Sequence, residues 1–288
     1  MAIRRLPNLA WSRLSALRIV GVGLAGLHLV LIVQVTGSLD QLVFSGLFWV
    51  AIAAHGQQHW PDRLPRSRPS LLLGLTLVGG LIVKSWPLGD AETAFVRLFP
   101  LFAWAGWFTL VQGWRWLPWR QSWALVLALS VPPRAMPLLL ETILDAQIRT
   151  ATAAIAAFVL HYVGFDVVQQ NSLIQLPGGT VDVEFACTGA ALLGLLLQVS
   201  VLLTVATGGQ HLGHTLGRLA GWSIAIAALL SAIRVAIMAA VVSNAAAFQF
   251  WHGASGGQIF TLIALAGLGY LGLGQQGQAE VDEPSLSN

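Results

Sequence analysis

Charged residues and cysteine are both scarce in this sequence. Only 9% of its 288 residues are charged, against about 25% in a typical soluble domain, which excludes a soluble globular protein. The single cysteine, Cys187, excludes an intramolecular disulfide and any metal site built from several cysteines. It is therefore either a small packing residue or a lone nucleophile.

Metal-binding patterns are weak as well. Two histidine pairs have the spacing of metal ligands on a helix, but too few carboxylates lie near them in the sequence to complete a site: His55 with His59, and His211 with His214. We expect no metal and no cofactor.

Long apolar runs dominate the chain. Hydrophobic residues make up 56% of it, and the mean hydropathy is +0.73. Since one crossing of a bilayer needs about 20 mainly apolar residues, we predict spans near residues 17–36, 39–54, 71–86, 94–112, 121–140, 184–206, 218–243 and 258–276. These runs predict an all-α integral membrane protein, a bundle of about eight transmembrane helices. We assign residues 1–276 to a single polytopic domain and residues 277–288 to a short acidic cytoplasmic tail.

Arginines predict which side of the membrane each connection faces. The N-terminus and the loops after the second and fourth spans are rich in arginine: Arg4, Arg5, Arg13, Arg63, Arg66, Arg68, Arg115 and Arg120. Because basic connections stay in the cytoplasm, the alternate connections face outward and both termini are cytoplasmic. We expect a multi-pass protein of the bacterial inner (plasma) membrane, without a cleavable signal, because the first apolar run is long enough to stay in the bilayer.

Two segments differ from the membrane spans. Residues 141–163 carry Glu141, Asp145 and Arg149 four residues apart, which predicts an amphipathic helix that we place at the outer surface. The prolines of SVPPRAMP separate it from the fifth span. The stretch DVVQQNSLIQLPGGTVDVEF then alternates polar and apolar residues around Pro177 and Gly178, a pattern that predicts a small extracytoplasmic β-hairpin. Its strand edges exclude it from lipid.

Three reactive side chains occur in the last three spans and their connections. Cys187 lies near the outer end of the sixth span, Arg234 lies in the seventh within LLSAIRVAIMAAVV, and His252 lies in the outward loop before the eighth. Taken singly, the cysteine is explained by packing and the histidine by a surface or capping role. The arginine is harder to explain structurally, because a guanidinium within a span costs at least a few kcal/mol and normally faces a cavity or a charged partner.

Together the three groups make a plausible catalytic set. A thiol attacks as the thiolate, and a nearby imidazolium or guanidinium lowers its pKa. His252 is suited to take and return a proton, and Arg234 to bind an oxyanion or a carboxylate. Glu184 shares a face with Cys187 if the helix has already begun there. It then orients Arg234 or His252, or is simply a carboxylate favoured at a helix N-terminus.

The blocks around these residues resemble a known family. VEFACTGA, AIRVAIM and WHGASGG are similar, in order and spacing, to the three signature blocks of the exosortase and archaeosortase family, and AAIAAFVLHYVGFDVVQQNSLIQLPGGTVDVEFACTGA is similar to its segment leading to the cysteine. The similarity covers about residues 130–265, the expected catalytic half. The family's Cys, Arg and His fall on Cys187, Arg234 and His252. Ser231 stands where the family often has Asn, and Thr188 where it commonly has Ser.

The resemblance implies a membrane cysteine peptidase and transpeptidase with its active site toward the periplasmic, outer face. Such enzymes act in protein sorting to the cell envelope. They recognise a tripartite C-terminal signal of the PEP-CTERM type on secreted proteins: a motif such as Pro-Glu-Pro, a transmembrane helix and a basic cluster. The implied partners are these secreted proteins, an unidentified surface acceptor and membrane lipids, with no nucleic acid. Glu184, Thr188 and Ser231 are candidates for support or substrate contact, and the ACTG block resembles a cyanobacterial-type branch.

The residues by themselves leave another class open. Arg234 could bind an anionic ligand in a membrane transporter or in a polysaccharide-assembly partner. A transporter would be expected to show internal repeats with discontinuous helices in both halves, and the sequence shows no such symmetry. A scaffold in which the three groups are inactive also stays open.

Overall fold

The computed structural model describes residues 8–37, 39–58, 67–86, 93–113, 120–131, 135–207 and 212–274. The predicted tail at 277–288 and most of the arginine-rich loops lie outside these residues. The chain divides into two compact units, residues 1–131 and 132–288, and each is described by itself. The assignment of residues 1–276 to a single domain stays a prediction.

The first unit is entirely helical in its described part. It contains α1 (Asn8–Thr36), α2 (Leu39–Gln58), α3 (Arg68–Lys84), α4 (Thr93–Gln112) and α5 (Arg120–Ser130). Buried His28 joins three of these helices: Trp49 of α2 donates to its Nδ1 at 3.0 Å, so its Nε2 carries the proton and donates to the carbonyl of Val96 in α4 at 3.1 Å. With both ring nitrogens bonded, His28 is a satisfied core residue.

The second unit packs helices around a small sheet. It contains α6 (Ala135–Val163), β1 (Val168–Gln170), β2 (Leu173–Leu176), β3 (Gly179–Asp182), α7 (Ala190–Ala206), α8 (Leu212–Ala240), α9 (Ala245–His252) and α10 (Ala254–Gly274). A short 3₁₀ turn, Phe185–Cys187, lies between β3 and α7. One apolar core joins α6, the sheet and α8, through residues such as Ala153, Ala156, Ile174, Val181, Val235 and Ala239, and it includes Cys187. The core therefore holds the cysteine turn between α6 and α8.

The structure supports a helical membrane protein but not the full count of spans. Five described helical segments are long and apolar enough to cross a membrane: Ser15–Thr36, Ala94–Gln112, Ala135–Val163, Gly213–Ala240 and Ala254–Gly274. Helix α7 is also apolar but has only 17 residues. The predicted number of about eight crossings is therefore not confirmed.

The prediction of a fifth span at 121–140 is wrong in its boundaries. Helix α5 ends at Ser130 after 11 residues, which is too short for a crossing. The next helix, α6, begins at Ala135 and has Pro137 in its first turn, where the missing N–H removes no hydrogen bond. The predicted interfacial helix at 141–163 is thus the larger part of a 29-residue helix, bent at Leu144. Its position at the outer surface stays a prediction.

The predicted hairpin is confirmed, and the sheet has one strand more. Strands β2 and β3 pair antiparallel on either side of Pro177 and Gly178, from Leu173 with Asp182 to Leu176 with Gly179. Strand β1 pairs with the other edge of β2. A two-residue turn at Asn171 and Ser172 joins β1 to β2, and Asn171 takes a left-handed φ of 53°, which asparagine tolerates. The Asn171-Ser172 pair is the feature of the sequence that could have predicted this third strand.

Candidate active site

The turn that carries Cys187 is built by local backbone hydrogen bonds. The Cys187 N–H donates to the carbonyl of Glu184 at 2.9 Å, and the Thr188 N–H to that of Phe185 at 3.0 Å. Gly189 then takes a left-handed φ of +79°, a conformation that suits glycine best. Helix α7 consequently begins at Ala190 rather than near 184, so Glu184 and Cys187 do not share a face of α7 as expected.

Gly189 also allows α8 to approach the cysteine turn. A side chain at this position would collide with Ser231 Oγ and would lie 2.9 Å from the carbonyl of Ala227. Ser231 is 5% exposed. Ser231 therefore packs directly behind the turn that carries Cys187.

His252 is the last residue of α9 and lies next to the thiol. Its Nδ1 is 4.0 Å from Cys187 Sγ. Helix α9 is fixed at its start by Asn244, whose side chain accepts from the Ala247 N–H at 3.1 Å. The His252 ring stacks on the ring of Phe248, one helical turn earlier, with the centroids 5.7 Å apart. The imidazole is solvent-exposed, whereas the thiol is 6% exposed.

Arg234 binds the backbone around His252. Its Nε donates to the carbonyl of Trp251 at 2.9 Å, and its Nη2 donates to those of His252 at 2.7 Å and Gly253 at 3.3 Å. The last carbonyls of a helix lack partners within the helix, and an arginine can satisfy them. Arg234 therefore holds the end of α9 in place, a role that sequence reasoning did not identify.

Burial and two nearby charged side chains shift the pKa of the Cys187 thiol, which lies in the 3₁₀ turn before α7. Burial raises the pKa of Cys187 above its ordinary value, the Arg234 guanidinium lowers that pKa, and the Glu184 carboxylate raises it. Because the burial effect is the largest, the resting thiol is protonated at neutral pH. Nucleophilic attack then needs a base, and His252 is the titratable side chain beside the sulfur.

A family model for transmembrane exosortases (Exosortase_EpsH) matches residues 36–269. The chain belongs to the transmembrane exosortase family. The match includes Cys187, Arg234 and His252 and confirms the resemblance seen in the sequence blocks. Comparisons with curated proteins and with solved structures found no match.

The other predicted site residues of this exosortase lie around the cysteine turn. Thr188 is buried, and its hydroxyl donates to the carbonyl of Phe185 at 2.7 Å. Glu184 is exposed at the start of the 3₁₀ turn. In the part of the chain that the structure describes, no ion pair joins Glu184 to Arg234 or His252. Within the same residues no group of three or more His, Cys, Asp or Glu side chains is placed to hold a metal ion.

One residue near the exosortase site was noticed in the sequence only as part of a polar stripe. Arg149 of α6 donates from Nε to the carbonyl of Val183 at 2.6 Å and from Nη2 to Asp182 at 2.9 Å. The stripe with Asp145 predicted a charged helix face, and the two side chains do approach to 3.8 Å. The contacts with Asp182 and Val183 join positions more than 30 residues apart, so no local pattern could reveal them.

Proposed function

We propose that this exosortase is a cysteine transpeptidase at the outer face of the bacterial inner membrane. It cleaves a PEP-CTERM-type sorting signal from the C-terminus of secreted proteins and transfers them to a surface acceptor. The observation that carries the proposal is the juxtaposition of Cys187 Sγ and His252 Nδ1 at 4.0 Å in a chain with no other cysteine.

The proposed reaction has two steps. The Cys187 thiol gives its proton to His252, and the sulfur attacks the scissile carbonyl carbon. His252 then protonates the leaving amine, which releases the C-terminal sorting signal and leaves the secreted protein as a thioester on Cys187. In the second step the nucleophile of the acceptor attacks the thioester carbonyl, His252 takes its proton, the C–S bond breaks, and His252 returns that proton to the departing sulfur of Cys187. The separation of 4.0 Å exceeds an ordinary hydrogen bond to a sulfur-bound proton, and such distances commonly shorten when substrate binds.

Arg234 supports this reaction in two ways. It holds the carbonyl of His252 and so fixes the general base, and its charge lowers the pKa of the Cys187 thiol. Its Nε and Nη2 are used by the carbonyls of Trp251, His252 and Gly253, so Nη1 is the donor that would serve an oxyanion or a substrate carboxylate. Because these hydrogen bonds occupy most of the guanidinium donors, they weaken the alternative of a transporter or polysaccharide-assembly partner, in which Arg234 would bind an anion.

The sheet supports a binding mode for the sorting motif. Strand β3 is an outer strand of the sheet order β1-β2-β3, and its last residue, Asp182, is followed five positions later by Cys187. An extended substrate segment that pairs with the edge of β3 would lead toward the thiol, and neighbouring side chains would give specificity.

Mass spectrometry of a processed reporter tests the proposed function. A secreted reporter with a PEP-CTERM-type signal is co-expressed with the full-length wild type or with Cys187→Ala, and membrane insertion of both is compared. We expect the wild type to remove the signal and Cys187→Ala to leave it intact, with any adduct mass identifying the acceptor. Processing by Cys187→Ala at the wild-type rate, or no processing of a cognate signal by the wild type, would reject the proposal.

A further inference from the structure

Arg149 is bonded to the backbone that leads into the cysteine turn. Its Nε donates to the carbonyl of Val183 at 2.6 Å. The next carbonyl along the chain, that of Glu184, accepts the hydrogen bond from the Cys187 N–H. Arg149 thus binds the backbone two residues before the 3₁₀ turn begins.

The same guanidinium closes a polar network at the ends of β2 and β3. Nη2 donates to Asp182 at 2.9 Å and to Ser172 Oγ at 3.3 Å, and the Ser172 hydroxyl donates to Asp182 at 2.7 Å. The Val183 N–H donates to the Ser172 carbonyl at 2.9 Å. The Ser172 hydrogen bond and Arg149 both lower the pKa of Asp182, so the network is charged at neutral pH. Both backbone groups of Val183 are therefore fixed.

The face of α6 that carries Arg149 also contributes to the apolar core that contains Cys187. Ala153 and Ala156, four and seven residues after Arg149, belong to the apolar core that contains Cys187. Positions with this spacing lie on one face of a helix. Any shift of the Arg149 network relative to α6 would therefore move the cysteine turn against its own packing surface.

From these contacts we infer that Arg149 is a positioning residue for the nucleophile. It fixes the carbonyl before the cysteine turn, as Arg234 fixes the carbonyls around His252, so that the two arginines together set the separation of sulfur and imidazole. The inference rests on the proposed function, because it assigns Arg149 to that same site. A surface ion pair with Asp182 alone would contribute little to stability. The hydrogen bond to the Val183 carbonyl is what allows Arg149 to position the cysteine turn.

The test uses the full-length protein in detergent or nanodiscs and two substitutions. Arg149→Met removes all the donors, and Arg149→Lys keeps the charge but cannot bond Val183 and Asp182 in the same geometry. Asp145→Asn is the matched control, because Asp145 contacts only Nη1 of Arg149, at 3.8 Å. Two quantities are measured: the rate of reporter processing, and the pH profile of Cys187 alkylation by iodoacetamide, which has no other cysteine to modify.

We expect both Arg149 variants to lower kcat by about 10- to 100-fold with KM changed less than about threefold, as misplacement of a reacting group predicts. We also expect the pH midpoint of alkylation to move, because the thiol changes its distance from Arg234 and Glu184. Asp145→Asn should change neither quantity. Wild-type kcat and an unchanged alkylation profile in Arg149→Lys, or a loss confined to protein abundance and thermal stability, would overturn the inference.

The alkylation profile separates this inference from the proposed function. If the wild type fails to process the reporter, the proposed function fails, while the pH midpoint still reports whether Arg149 positions the thiol. If Arg149→Met does not insert, Arg149→Lys supplies both measurements.

Discussion

Arg234 Nη2 donates to the backbone carbonyl of His252 at 2.7 Å, while the His252 ring lies beside Cys187. The arginine therefore contacts the proposed general base through the His252 backbone, and it acts on the proposed nucleophile, Cys187, through its charge. This relationship explains how an apolar helix can contain a charged residue: the backbone carbonyls of Trp251, His252 and Gly253 accept hydrogen bonds from the guanidinium, which lipid could not do.

Replacement of His252 should abolish processing without loss of the fold. The imidazole is exposed at the end of α9, so His252→Asn removes the base but little packing. We expect a fall in kcat of about 100- to 10,000-fold, measured by reporter processing at equal membrane abundance. His161→Asn, at an exposed histidine near the end of α6, is the matched control, and a similar loss there would contradict the assignment.

Two charge substitutions should move the reactivity of Cys187 in opposite directions. Arg234 lowers the pKa of the thiol and Glu184 raises it. Arg234→Met should therefore shift the pH midpoint of iodoacetamide alkylation upward, and Glu184→Gln should shift it downward. In the wild type the midpoint should lie above that of a free thiol, about 8.5, because burial is the largest effect. Shifts of the same sign in both variants would show that the charges do not act on the thiol as described.

Arg234→Lys should be nearly as damaging as removal of the side chain. A lysine has the charge but cannot reach the carbonyls of Trp251, His252 and Gly253 in the geometry of the guanidinium. We expect a loss in kcat on the order of 100-fold, typical of a misplaced catalytic group, together with faster proteolysis at the α9–α10 junction. Wild-type processing by Arg234→Lys would mean that the positive charge alone suffices and that the hydrogen bonds from Arg234 to the backbone around His252 are dispensable.

Gly189→Ala should destabilise the second unit. The substitution meets both a left-handed φ of +79° and a collision with Ser231, for which we expect about 1–3 kcal/mol. Gly221→Ala in α8 is the control, since a side chain there meets no atom within 4 Å and alanine favours a helix. Thermal unfolding in detergent compares them. Adding Ser231→Ala to Gly189→Ala should recover only part of the loss, because the backbone strain remains.

Several local features of the fold and the site followed from local pattern. Pro177 and Gly178 predicted the hairpin, and the composition of the blocks around Cys187, Arg234 and His252 indicated the family. The start of α7 was missed, because a predicted apolar run cannot reveal that Gly189 adopts a left-handed conformation against Ser231. The division of the fifth span was missed for a similar reason: SVPPRAMP contains three prolines, and hydropathy alone does not show that Pro137 belongs to the next helix.

The sequence by itself determined the membrane class of the protein, its family and the identity of its three candidate catalytic residues, because hydropathy, turn chemistry and short motifs are properties of neighbouring positions. Only the tertiary structure decided that Cys187 meets His252 across 65 positions, that Arg234 binds the α9 carbonyls, and that Arg149 reaches Val183. Hydrogen-bond partners distant in sequence are selected by the packing of α6, α8 and the sheet on one core. That packing depends on all of these elements at once.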